Sequence, residues 1–170
     1  MDGNGSNTHS SKEKHMSKTN VERLLKQSKI DFESLTYPVD LDDLSAEAVA
    51  RKINYPLSTI FKTLVLKMVE NKYVFVVISG EEELSLKAAA KAMHSKKVAL
   101  VPMKDLEDLT GYIRGGVSAI GAKKNFQVLL SDRAIHEPFI IISAGKRGHQ
   151  VRLNPHDFLS FTQGILFTNG

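Results

Sequence analysis

The sequence predicts a single α+β domain with a mixed sheet, and three observations carry that expectation. The chain has 170 residues, of which 42% are hydrophobic and 25% charged, a length and composition that suit one soluble globular core. Apolar residues recur with a period of two in several short runs and near 3.6 in others. The strand-like runs are joined by tight turns in some places and by helices in others, which argues against strict βαβ repetition. No internal repeat is present.

The elements follow in order. Met1 to His15 is rich in Gly, Ser, Asn and His and nearly free of large apolar residues. Such a stretch cannot bury enough surface to offset its ordering entropy, so residues 1–16 are expected to be a disordered leader or tag, and 17–170 the domain. Val21, Leu24 and Leu25 form the stripe of a helix from about Thr19 to Ser28, with Thr19 or Asn20 as its cap. Phe32, Leu35 and Tyr37 mark a short strand that Pro38 ends. Ser45 precedes a second helix carried by Ala46, Val49, Ala50 and Ile53, which Asn54-Tyr55-Pro56 stops. Ser58 to Met68 reads as a strong strand, Asn71-Lys72 as its turn, and Tyr73 to Ser79 as the hairpin partner. Ser85 caps a helix through Met93. Val98 to Val101 is a short strand, and Pro102 opens a helix to about Leu109. Beyond a glycine-rich loop, Val128 to Leu130, Phe139 to Ser143 and Val151 to Leu153 read as strands, and Pro155 starts a closing helix.

Composition also narrows the function classes. No apolar run approaches the roughly 18 residues that span a bilayer, and the N-terminus has no signal-peptide core, so a cytoplasmic location without membrane association is expected. The absence of cysteine removes disulfides, thiolate metal sites and a Cys nucleophile together. The six histidines sit singly, without the spacing of a zinc site. Neither a metal nor a cofactor is expected. Charge is uneven: Leu109 to Asn154 holds seven basic residues against two acidic ones, a net +5 in a chain whose total is +4, leaving −1 for the rest. That half suits a polyanion, with Lys123, Lys124, Lys146 and Arg147 as candidate contacts. A plain solvated basic surface is the other reading.

Three segments could carry chemistry. Strand alternation puts Ile60, Lys62, Leu64, Leu66 and Met68 on one face, where Lys62 is the sole charge. An ammonium there is costly unless paired or used; alternatively it packs its stem and reaches water with its head. Gly111, Gly115, Gly116 and Gly121 crowd one loop, so backbone N–H groups could approach a ligand. That loop closes no Walker A and no dinucleotide fingerprint, and Ile120 stands where a nucleophile elbow needs glycine. A tight structural turn is the competing account. The strand at Phe139 runs into Gly145-Lys146-Arg147-Gly148, a second turn open to both readings. A Ser143–His149 pair lacks an orienting carboxylate and carries no argument.

Taken in order, Tyr37, Phe61-Lys62-Thr63-Leu64, Gly111-Tyr112 with Gly115-Gly116-Val117-Ser118, and Ser143-x-Gly145-Lys146-Arg147-Gly148 resemble the YbaK family of Cys-tRNA(Pro) deacylases. Its relatives include the editing insertion of bacterial prolyl-tRNA synthetases. The resemblance runs from about Val21 to the closing helix. It implies a mixed sheet curled toward a barrel with helices outside. It also implies mischarged tRNA, above all Cys-tRNA(Pro), as substrate, with prolyl-tRNA synthetase as a possible partner. By the same resemblance Lys62, Gly115 and Gly116 are the catalytic residues, the glycines through their N–H groups. Tyr37, Thr63, Ser118, Ser143 and Gly145 contact the aminoacyl adenosine. The cysteine thiol attacks its own ester and leaves as a thiolactone, which needs only positioning and oxyanion donors from the protein. Two positions depart from the family pattern: Ala119 replaces a proline, and Gln150 stands where many members are acidic. Removal of another amino acid, such as alanine from tRNA(Pro), and a silent tRNA- or synthetase-binding module are the alternatives.

Overall fold

A computed structural model describes residues 18–170, and the leader expected over 1–16 lies outside the described residues. Helix α1 spans Asn20–Gln27 and opens on a capping box. Thr19 accepts from the Glu22 N–H, and Glu22 accepts from the Thr19 N–H, so two orphan donors of the first turn are satisfied reciprocally. Strand β1, Phe32–Thr36, follows. Helix α2, Ala46–Ile53, is capped by Ser45 and stops at Asn54 in a left-handed conformation, in keeping with the stop read at Asn54-Tyr55-Pro56.

Strand β2 covers Phe61–Met68. It starts three residues later than expected, because Thr59 turns back on Pro56, its N–H and hydroxyl both bonding that carbonyl at 3.0 and 2.7 Å. The remaining elements are β3 (Tyr73–Ser79), α3 (Leu86–Ala92), β4 (Val98–Leu100), α4 (Met103–Thr110), β5 (Gln127–Ser131), β6 (Ile140–Lys146), β7 (His149–Leu153), α5 (Pro155–Thr162) and β8 (Ile165–Phe167). Strand β8 was not expected: it has three residues between Gly164 and Thr168, too short to show alternation.

The α+β architecture and mixed pairing are as the sequence predicts, but the strands form two sheets. One runs β1-β7-β6 and is antiparallel. The other runs β4-β2-β3-β5-β8, antiparallel across β4, β2 and β3 and parallel from β3 to β8. A single parallel bridge, Ile60 to Ile141, joins them at one corner, so the curl stops short of a closed barrel. The main core lies between the sheets, where Phe61, Val65, Phe75 and Val77 meet Ile140, Ile142, Val151 and Leu153 under Val21, Leu25 and Phe158. The other face of β2 and β3 packs Leu66, Val74, Val76 and Ile78 against Ala89 of α3. Among the described residues, no helix is long and apolar enough to cross a membrane.

Candidate active site

At the corner where the sheets meet, a cavity of about 330 Å³ opens between β2, the glycine loop, the start of α4 and the ends of β6 and β7. That volume is at the small end for ligand pockets, about 300–1,000 Å³, and suits an amino-acid ester. Leu44, Val49, Met103, Leu106 and Val117 supply apolar wall, while Lys62, Thr63, Arg114, Gly115, Ser143 and Gln150 supply polar groups. Lys62 and Thr63 reach it because β2 begins there, and Lys62 is half-buried. Its cross-strand neighbour is Ile78, and its ammonium makes no ion pair or hydrogen bond with a described residue.

Of the residues singled out in the sequence, Lys62, Thr63, Gly115 and Ser143 line this cavity. Tyr37 stands beside it, accepting at Oη from the Gln150 side-chain amide at 3.5 Å. Its backbone is fixed to the β6–β7 turn, its N–H donating to the Gly148 carbonyl at 3.0 Å. Gly115 sits at φ +84, a conformation that costs an L side chain roughly 1–2 kcal/mol. Gly116, Ser118, Gly145 and Arg147 contact other parts of the chain. The Gly116 N–H, expected to face an oxyanion, donates to the Ile113 carbonyl at 2.9 Å. Ser118 is buried, and its hydroxyl accepts from the Ile120 N–H at 3.2 Å. Gly145, at φ +91, lets the Tyr112 ring lie against the chain: a Cβ there would stand 2.9 Å from Tyr112 Cε1. Arg147 crosses to the glycine loop and donates to the Arg114 carbonyl at 2.7 Å, while Lys146, Lys123 and Lys124 are exposed.

Tyr112 closes the loop on itself, its hydroxyl donating to the Ile120 carbonyl at 2.6 Å, and burial raises its pKa. His149 is lowered, first by burial and then by Lys146, with Glu22 opposing. It alternates with Gln150 along β7 and so faces α1, away from the cavity. The apolar wall was not read as a pocket from the sequence, and neither were two of its polar residues. Arg114 was visible only as one charge in a loop, and Gln150 only as a departure from a family pattern. Among the described residues, no group of three or more acidic or His side chains could hold a metal ion.

Residues 43–161, which include the wall from Leu44 to Gln150, match the family model of the aminoacyl-tRNA editing domain. The chain belongs to the aminoacyl-tRNA editing domain family. This editing domain is 45% identical, over 90% of its length and 93% of the relative's, to EbsC of Enterococcus faecalis, a protein named as a Cys-tRNA(Pro)/Cys-tRNA(Cys) deacylase. It is also 29% identical to a proline–tRNA ligase of a Sulfurihydrogenibium species, over 66% of this chain and 20% of that enzyme. The fold is that of a solved structure described as a trans-editing enzyme for prolyl-tRNA synthetase, with a TM-score of 0.73 at 19% identity over 82% of this chain and 87% of that one. A solved hypothetical protein shares it too, at a TM-score of 0.79 and 19% identity over 86% of this chain and 95% of that one.

Proposed function

We propose that this editing domain deacylates Cys-tRNA(Pro) in trans. The observation that carries the reading is the cavity wall: Lys62, Thr63, Gly115 and Ser143 surround a space sized for an aminoacyl ester. The 45% identity to a protein named as a Cys-tRNA(Pro)/Cys-tRNA(Cys) deacylase supports cysteine as the amino acid. The shared stretch with a proline–tRNA ligase supports tRNA(Pro) as its carrier and that synthetase as a source of the substrate.

The chemistry asks little of the protein. The substrate's sulfur forms a bond to its own ester carbonyl, the bond from that carbonyl to the terminal ribose oxygen breaks, and that oxygen takes up a proton from water in place of the one the thiol gives up to water. The wall holds sulfur and carbonyl at attack distance, and proximity of this kind is worth several kcal/mol of barrier. The N–H of Gly115 has no partner among the described residues and serves as donor to the developing oxyanion, with the Lys62 ammonium adding positive charge. The exposed Lys146, Lys123 and Lys124 meet tRNA phosphates outside the pocket. A deacylation panel of Cys-, Ser-, Ala- and Pro-tRNA(Pro) tests the reading. Cys-tRNA(Pro) is expected to be cleaved far faster than the others, since neither a hydroxyl nor a methyl replaces a thiolate nucleophile. Equal rates on Ala-tRNA(Pro) would rule out attack by the substrate thiol.

A further inference from the structure

The pocket carries a charge pattern that binding an aminoacyl ester does not by itself require. Its ionisable lining residues are Lys62 and Arg114, and no Asp or Glu lines it. The carboxylates on neighbouring elements are engaged or directed elsewhere. Asp43, before α2, accepts from Ser45 and pairs with Arg51 at 3.8 Å. Glu33 of β1 pairs with Arg152 of β7 at 2.8 Å. Asp42 before α2, Glu47 of α2 and Asp105, Glu107 and Asp108 of α4 are exposed and outside the lining. Glu22 and His149 lie on the α1 side of β7. Among the nearby cations, Lys52 of α2 donates to the Pro38 carbonyl at 2.9 Å and Arg147 to the Arg114 carbonyl, while Lys104 of α4 and Lys146 of β6 are exposed.

The polar side chain set deepest in the wall is Gln150. It is 6% exposed, and its one side-chain hydrogen bond is the long contact to Tyr37. An amide offers two donors and a two-fold acceptor, so most of its capacity is free to meet a ligand.

We infer that this wall sorts its ligand by charge state, taking a cysteinyl ester as thiolate and neutral amine, with Gln150 as the uncharged partner of that amine. The inference rests on the proposed Cys-tRNA(Pro) reading. Cations within a few Å favour an anion and disfavour a second cation. Loss of a proton from the thiol and loss of one from the ammonium are therefore promoted together. The first produces the nucleophile, because the thiolate is the reactive form. A carboxylate at position 150 would do the reverse, anchoring the ammonium and holding the thiol protonated.

The test uses 3′-amide-linked cysteinyl adenosine, which binds as the ester would but is not cleaved. Its thiol is titrated by ultraviolet absorbance, free and in complex with the full chain. The midpoint in the complex is expected to fall by about one unit or more, and Gln150→Glu to return it. At neutral pH the same variant is expected to slow single-turnover Cys-tRNA(Pro) deacylation by about tenfold, the loss that one unit implies. If Gln150→Glu fails to fold, as a thermal melt shows, Lys62→Gln must raise the midpoint instead. A bound analogue whose midpoint is unshifted or raised overturns this inference and leaves the substrate reading standing. An analogue that does not bind, beside Cys-tRNA(Pro) that is not cleaved, overturns both.

Discussion

The glycine loop of residues 111–121 and the β6–β7 turn of residues 145–148 look alike in sequence, each rich in glycine and carrying a cation. In the fold they do different work. The loop presents Arg114, Gly115 and Val117 to the cavity, while its other polar groups bond within the loop through Tyr112, Ser118 and Gly116. The turn contributes no residue to the wall. Its Arg147 buttresses the loop at the Arg114 carbonyl, and its Gly145 makes room for Tyr112. At Gly145 glycine lets the chain approach the Tyr112 ring, and at Gly115 it leaves room for Leu44 and Arg147 beside the cavity.

Substitutions can break that contrast. The largest effect is expected in the turn. Gly145→Ala must hold a side chain at φ +91 and push against Tyr112, costing roughly 2–5 kcal/mol from left-handed strain and overpacking together. Thermal unfolding measures the loss, and a melt close to that of the parent would show that the ring can move aside. Next comes Lys62→Ala, expected to cut single-turnover deacylation at least about 100-fold, about 2.7 kcal/mol of barrier. Its stability should stay within about 0.5 kcal/mol, since Lys62 is half-buried and has no ion-pair or hydrogen-bond partner among the described residues. Lys62→Arg should also fail, because a planar guanidinium does not replace a compact ammonium. Near-normal rates for both would take Lys62 out of the site.

The smallest effect belongs to the staple. Tyr112→Phe leaves the Ile120 carbonyl without its donor and should cost about 1 kcal/mol. It also carries a pH signature. Burial raises the Tyr112 pKa in the fold, so the neutral phenol's contribution is complete below tyrosine's ordinary value of about 10 and is lost as pH rises through the folded value. The variant should therefore lose less stability than the parent in alkaline melts. Equal alkaline losses would mean that the phenol is solvated.

How far the sequence could be read follows from what each signal depends on. Local signals were sufficient for α1, with Thr19 or Asn20 as its cap, and for the β2–β3 hairpin, because periodicity and capping act within a few residues. The division into two sheets was not legible, since it depends on β1 pairing with the distant β7, Phe32 with Leu153 and Thr36 with His149. Strand β8 escaped because its three residues are held by pairing with β5 rather than by their own pattern. Within the site, Lys62 stood out as a charge on an apolar face. Gly116, Ser118 and Gly145 could not be told from Gly115 and Ser143, because residue type does not reveal whether a polar group is already spent on its neighbours. Gln150 is the reverse case: an ordinary residue whose burial at 6% exposure makes it informative.

The missing cysteine has a practical side. Because the chain contains none, the enzyme has no sulfur of its own to exchange with, or be acylated by, a cysteine ester and its cyclised product. In a complex with a cysteinyl ligand, every thiol-specific reagent therefore reports on the ligand alone, since the chain's five methionine sulfurs are thioethers. The chain is in this way blank to thiol reagents, so a thiol-bearing ligand can be followed with neither label nor mutation.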